Sequence, residues 1–426
     1  MKFNPARFLT RALTHWTDAP LESRLRSLIL FALLSLLWLL LFRHELSRPL
    51  PFPPHSDEGF YLSAACDSAG GLILSEKAPM YSLWLRAVCL LNSCVAVRCL
   101  FWDRLCSIFL LSLLCSCLGE RFFGFRTGVL FGFWIVNSKY IVIEPNGSNR
   151  LAAILFVVSL LCLFVPNRHA RLPAATLLAF LSSLARPEMR VPLLAILCYI
   201  VVREAIALLL HRAHSAAGSW RKEIGYWVLA IGLAASLQAY VTTHGVSDKG
   251  LGFTTEDAFT LGFGVTYIER NALSVQYPDA WQAAYEVVGR IMPGVSHPYQ
   301  ALIHFPRHFV DHFVYNFRKC AVVMFSLLFG YCSRSLQLGA FLCYLVAGGL
   351  WPGRTAVKQA AKPLSPAQHE QLVVWFSSAC LLVPLSCVFL ILWRYYLPLI
   401  PLGLVGVMFV IRKAQMHLAG FHEDKA

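Results

Sequence analysis

The chain has 426 residues, of which 57% are hydrophobic and only 14% charged, with a formal net charge of +14 and a mean hydropathy of +0.59. Soluble domains carry about 25% charged residues, so this composition excludes an ordinary soluble protein and predicts one embedded in a bilayer. The positive charge lies in short Lys/Arg clusters between apolar runs, which is the positive-inside pattern and speaks against nucleic acid as a partner.

Read in chain order, about 26 basic-rich residues lead into the first apolar run, 27–42, which is a full span with no sign of a cleavable signal peptide. Further runs long enough for a span, at roughly 16 to 22 residues, fall at 101–118, 127–143, 151–166, 173–185, 191–210, 224–243, within 319–350, at 371–393 and at 395–411. Basic residues fall at every second gap: Lys2, Arg7, Arg11, Arg24 and Arg26; Arg121 and Arg126; Arg168 and Arg171; Arg212, Arg221 and Lys222; Arg354, Lys358 and Lys362; Arg412 and Lys413. This alternation predicts an all-α polytopic membrane protein with about 10 (10–12) spans and both termini inside.

Two segments resist the pattern. Counting 79–95 as a span would put Arg121 and Arg126 outside, so it is expected as a juxtamembrane helix on the outer surface. The 319–350 stretch is interrupted at Arg334 and holds one span or two. The expected organisation is an N-terminal module at 1–243 with a first outside loop at 43–100, a large outside loop at 244–318, and C-terminal helices with a short tail at 319–426. No period of 20 to 50 residues indicates repeats.

All but Cys66 of the 14 cysteines lie in or beside apolar stretches, and none forms a CxxC pair with a partner. They read as small soft side chains packed between helices, not as a disulfide framework or zinc site. His304, His308 and His312 recur every four residues with Arg307 and Asp311 among them. They read as a solvated or interfacial helix face. Asn146-Gly147-Ser148 matches an N-glycosylation sequon close to a span.

The residues with chemical potential collect on the outside. Asp57 and Glu58 follow the rigid Pro51, Pro53, Pro54 approach. Neighbours on a helix point about 100° apart, so one faces a reacting group while the other anchors the loop; the plainer alternative is that Ser56 or Asp57 caps a helix. His55 stands beside them without a second histidine at ligand spacing, which leaves room for a divalent metal but predicts no metal site. Lys77 precedes the Pro79 helix start and either snorkels to headgroups or binds a phosphate. Glu144 and Arg150 flank a short outside turn, Arg186-Pro187-Glu188 forms a corner, and Arg394-Tyr395-Tyr396 opens the last span. Ionisable groups at span ends tend to pair, so Arg186 with Glu188, or Arg150 with Glu144, has a structural reading as well as a substrate-binding one; Arg394 and its tyrosines equally suit an interfacial belt.

In order and spacing, these motifs resemble the GT-C membrane glycosyltransferases, in particular the branch of protein O-mannosyltransferases and aminoarabinose transferases. The Asp57-Glu58 pair follows the first span, Glu76-Lys77-Ala78-Pro79 opens a juxtamembrane helix, Gly119-Glu120-Arg121-Phe122-Phe123-Gly124 matches a cytoplasmic link, and Arg394-Tyr395-Tyr396-Leu397-Pro398 matches the late motif. Ala78 stands where a proline is usual, and Asn149 where relatives often have an acid. The likeness covers most of the first 200 residues and the last 50, and no part of the large loop.

The resemblance implies a GT-C-like fold in the plasma (inner) membrane with an extracytoplasmic site, and transfer of a sugar with inversion from a polyprenyl-phosphate donor to a hydroxyl on a glycan, lipid or protein. Asp57 is then the general base, with Glu58 holding the loop. Lys77, Arg394 and Tyr395 are the donor phosphate ligands, and His55, Tyr61, Glu144, Arg150, Arg186 and Glu188 are supporting or substrate-contact residues. The alternative is a transporter or flippase of a lipid-linked saccharide, against which stands the lack of inverted repeats or matched broken spans.

Overall fold

A computed structural model describes residues 61–62, 65, 74–75, 78–91, 96–123, scattered positions from 128 to 141, 147–210, 220–246, 255–329, 366–389 and 396–410. The run 27–42, Asp57, Glu58, His55, Glu76, Lys77, Glu144, Arg394 and Tyr395 lie outside the described residues.

The described chain is almost wholly helical. The helices are α1 (Pro79–Leu91), α2 (Ala96–Phe123), α3 (Gly147–Cys162), α4 (Arg168–Ala185), α5 (Arg190–Leu210), α6 (Trp220–His244), α7 (Thr255–Arg270), α8 (Ala280–Ile291), α9 (Pro298–His304), α10 (Pro306–Phe329), α11 (Pro366–Cys380) and α12 (Leu382–Val388); a last apolar helix, α13, runs over Leu399–Val410. Among the described residues, three segments are long and apolar enough to cross a membrane: Arg98–Phe123, Glu223–Thr243 and Pro366–Val388. Two short strands, β1 (Leu74–Ser75) and β2 (Gly245–Val246), pair in parallel, with Leu74 opposite Gly245.

Prolines punctuate the helices for steric reasons. Arg186 precedes Pro187 and takes extended angles (φ −149°, ψ 126°), which ends α4. A 3₁₀ turn over Pro187–Met189 then makes the corner into α5. Pro306 opens α10 directly after Phe305 closes α9, a position where a missing N–H costs nothing. Pro384 lies four residues beyond Cys380, where its ring opposes that carbonyl, and the helix breaks between α11 and α12 at Leu381. α4 starts at Arg168, five residues ahead of the expected boundary, because the Asn167 side chain accepts from the His169 amide and caps the first turn.

The main core unites α1 to α5 with α10 to α13, and its largest fully buried side chain is Trp375. Trp375 Nε1 donates to Ser159 Oγ at 2.7 Å, and Ser159 Oγ donates to the Ala175 carbonyl at 2.6 Å, so one hydroxyl ties α11, α3 and α4. Small residues permit a second close approach. A Cβ on Gly128 would strike the Ser116 carbonyl, and one on Gly132 would strike Ser116 Oγ. Gly128 and Gly132 thus form a small-xxx-small face against α2, where Ser112 Oγ donates to the Gly132 carbonyl at 2.9 Å. The cysteines described are all free, and Cys89, Cys99, Cys115, Cys320 and Cys387 are buried.

Residues 255–309 build small cores of their own. Asp279 caps α8 by accepting from the Trp281 and Gln282 amides, both at 3.1 Å, and Ala284, Val287 and Val288 bury one face. Gly264 lets α7 approach the Ala284 backbone. α10 continues through the boundary expected at 318/319 as one helix of 24 residues. The histidine face expected over 304–312 does not form: Phe305 interrupts the helix, and His312 is 1% exposed. Its Nε2 lies 2.9 Å from the Val388 carbonyl and its ring stacks on Phe263 at 4.8 Å. The spacing of four held only from His308 to His312, and the α10 face bearing His312 turned towards α12.

Candidate functional site: a buried ion pair beneath the helix at 79–91

The helix that follows Lys77 is fixed in place by polar groups. Pro79 opens α1 while the Ala78 carbonyl accepts from the Tyr81 and Ser82 amides at 3.0 and 3.1 Å. Tyr81, Leu85, Val88 and Cys89 are buried, the i, i+4, i+7, i+8 stripe of a helix lying on its neighbours. Leu90 and Leu91, at its far end, are exposed.

What α1 packs on is Asp103, in the second turn of α2. Tyr81 Oη donates to Asp103 Oδ2 at 3.1 Å and Trp84 Nε1 donates to Asp103 Oδ1 at 2.6 Å. Arg150, on the first turn of α3, donates from Nη2 to the same Oδ2 at 3.1 Å and from Nε to Ser107 Oγ at 2.7 Å. Asp103 and Ser107 are four residues apart and share one face of α2, so a single guanidinium reaches both. The Arg150 side chain is 0% exposed and that of Asp103 is 2% exposed. A buried charge of this kind persists only when paired and hydrogen-bonded. Here one carboxylate takes three donors from two other helices.

Gly147 makes the junction possible. A Cβ there would collide with Asp103 Oδ2 and Tyr81 Oη. Two neighbouring groups extend the network. Tyr61 is buried and packs edge-on against Tyr81 (centroids 5.4 Å, 89°). Arg186 grips Glu188 with two bonds of 3.1 and 2.8 Å, and its Nη1 lies 3.5 Å from Ser148 Oγ on the first turn of α3. Tyr61, Arg150, Arg186 and Glu188 therefore surround one feature, the start of α3 under α1. The pairing of Arg186 with Glu188 follows the structural reading of that corner. The β1–β2 pairing joins the chain just before Glu76 to the start of the segment after α6.

Asp103 was not among the residues singled out in the sequence. The signal was present: an acid two residues inside a predicted span is costly unless partnered, and Ser107 stands one turn on. Neither Tyr81 nor Trp84 carried any mark beyond its aromatic character. Among the described residues, no three His, Cys, Asp or Glu side chains come together in a way that would hold a metal ion.

Both oxygens of the Asp103 carboxylate are taken by donors, and the residue is 1% exposed. Its chemistry is to position α1 and the residues leading into it. No family model, no curated protein and no solved structure matches the chain significantly.

Proposed function

We propose that the chain is an integral-membrane glycosyltransferase of the GT-C kind, moving a sugar from a polyprenyl-phosphate donor to a hydroxyl acceptor at the extracytoplasmic face. The observation that carries this reading is the anchoring of α1, the helix opened by Glu76-Lys77-Ala78-Pro79, through the buried Asp103–Arg150 pair. At 13 residues, α1 is about 20 Å long and cannot cross a hydrocarbon layer of about 30 Å. It lies at the outer surface, held on one face, with Lys77 at its leading end. Sidedness gains support from β1–β2, which joins two segments that the basic-residue alternation puts on the same side. About ten spans with both termini inside complete the arrangement.

In this mechanism the acceptor hydroxyl attacks the anomeric carbon as Asp57 takes its proton. The C–O bond to phosphate breaks on the opposite side, which inverts the centre. Polyprenyl phosphate leaves as an anion, so no general acid is needed, and Lys77, Arg394 and Tyr395 hold its charge. Glu58 orients the loop, while His55, Tyr61, Glu144, Arg150, Arg186 and Glu188 support the site or contact substrate.

The test is sugar release from a labelled polyprenyl-phosphate sugar in proteoliposomes. Asp57→Asn keeps donor binding and loses about 10²- to 10⁴-fold in turnover, whereas Lys77→Ala weakens donor binding. Variants that match the wild type in both respects sink the site assignment. Movement of the intact lipid between leaflets, without sugar release, would make the protein a flippase.

A further inference from the structure

Arg121 and Arg171 take no part in the network around Asp103. Arg121 lies 18 residues along α2 from Asp103, about 27 Å, at the opposite end of the helix. The segment Arg98–Phe123 is long enough to cross a membrane. Its span from Arg98 to Arg121 is about 35 Å, longer than a hydrocarbon layer of about 30 Å, which sets Arg121 at the level of the headgroups.

Both guanidiniums dock on the same turn. Arg121 Cζ lies 5.0 Å from the centroid of the Phe164 ring, and Arg171 Nε donates to the Val165 carbonyl. Phe164 and Val165 are consecutive residues between α3 and α4, and the turn is held firmly. Phe122 packs edge-on against Phe164 (centroids 5.4 Å, 85°), and the Leu163 carbonyl accepts from Gln368 Nε2 of α11 at 3.2 Å. Two side chains from different helices are thereby brought to one place.

That place holds positive charge without a counter-charge. Burial, and after it the Arg121 charge, pull the Arg171 guanidinium below its ordinary value. A cation at the start of α4 also opposes the helix dipole. Among the described residues neither arginine forms an ion pair. Glu120, the neighbouring acid in sequence, has its Cβ against Gly128, and Glu223 is beside His169. The positive-inside pattern accounts for basic residues on this side of the membrane, but not for two of them seated together on one turn.

The open edges of the two groups are their Nη nitrogens. Arg121 Nε is buried without a partner, and Arg171 Nε is used by Val165. No Nη of either residue is among the buried unpartnered atoms or bonded to a described residue, so these donors remain accessible.

We propose that Arg121 and Arg171 together bind a phosphate group, carried by an anionic phospholipid headgroup or free in solution. A guanidinium donates to phosphate oxygens in a fixed planar fork. A phosphate presents oxygens in several directions, so two forks arriving from α2 and α4 each take a different one. A bound anion also removes the repulsion between the two arginines and the conflict with the α4 dipole. The site lies at the far end of α2 from Asp103, and its occupancy is independent of the reaction proposed above.

The experiment has two arms, both on the full chain. In the first, the protein is reconstituted into equimolar phosphatidylglycerol and phosphatidylcholine, re-extracted in mild detergent and weighed by native mass spectrometry. In the second, delipidated protein is heated in inorganic phosphate or in chloride at equal ionic strength. A lipid site retains phosphatidylglycerol about fivefold over phosphatidylcholine, and Arg121→Gln or Arg171→Gln lowers that preference about three- to fivefold. A site for free phosphate leaves the lipids in bulk proportion, while phosphate raises the thermal midpoint of the wild type and not of either variant. Arg121→Gln breaks no hydrogen bond to a described residue and carries the test should Arg171→Gln fail to fold. Arg221→Gln removes one charge that the basic-residue alternation puts on the same side, and it leaves both readouts unchanged. An equal loss in Arg221→Gln would mean diffuse attraction by the basic face and would overturn the proposal. So would a wild type that shows neither lipid preference nor a response to phosphate.

Discussion

Two buried polar clusters tie loop helices to the bundle, and they solve the same problem in opposite ways. Beneath α1, Asp103 and Arg150 form a buried ion pair, with Tyr81, Trp84 and Ser107 filling the remaining hydrogen-bond positions. Under the large loop the cluster is built from neutral groups and main chain. His312 Nε2 donates to the Val388 carbonyl, and Asn316 Nδ2 donates to the Cys387 carbonyl at 3.0 Å. Thr266 Oγ1 lies 3.5 Å from Asn316 Oδ1, linking α7 to this pair. A charged pair is rigid because neither member can leave without stranding the other. A neutral histidine against carbonyls is conditional, because a proton changes it.

The comparison breaks most sharply at Arg150. Arg150→Met leaves the Asp103 carboxylate buried without its cation and is expected to cost about 3–5 kcal/mol, read as the thermal midpoint in detergent. Adding Asp103→Leu recovers most of that loss, since an apolar pair of similar volume needs no counter-charge. Failure of the double variant to recover would mean the carboxylate serves something besides Arg150.

Acid sharpens the comparison from the other side. Burial, reinforced by Arg270 and opposed by the hydrogen bond to Val388, pulls the His312 imidazole from 6.5 down to about 4. Arg270 is itself within 3.9 Å of Asp311. The unfolded chain therefore takes up a proton that the folded one refuses, so stability falls as pH drops from about 6.5 to about 4 and levels off below. The loss reaches about 3 kcal/mol, and His312→Gln flattens this part of the pH profile. An unchanged profile would remove His312 from the account.

Gly147→Ala tests the packing at the first cluster without touching its charges. The added methyl meets Asp103 and Tyr81, and the expected cost is about 1–3 kcal/mol, with a change in Trp84 fluorescence as α1 shifts. The smallest effect belongs to the second region. Asp279→Ala removes the α8 cap and is expected to cost about 1 kcal/mol, seen as faster amide exchange at Trp281 and Gln282.

How much of this was legible beforehand differs by element. The spacing of basic clusters and apolar runs anticipated helices at 101–118, 151–166, 191–210 and 224–243, because chain-local hydropathy is a property of neighbours in sequence. The corner at Arg186-Pro187-Glu188 was legible for the same reason: proline restricts the residue before it, and the acid lies within reach. Asp103 escaped because its partner is 47 residues away, and nothing local names Arg150. The histidines misled because a period of four was read through Phe305 and Pro306, where the chain breaks. Trp84, half-buried on a short helix, acquires its role only from the carboxylate that α2 presents to it.

Composition and periodicity alone thus determined that this is a helical chain suited to a bilayer and roughly where its main apolar helices lie. Those properties depend on backbone sterics and on the transfer of apolar groups, both of which act over a few residues. Only the tertiary structure decided that Asp103 belongs to Arg150, that Gly147 makes room for them, and that His312 faces α12. Such pairings bring together charges and carbonyls far apart in the chain, and their energies exist only once the helices have met.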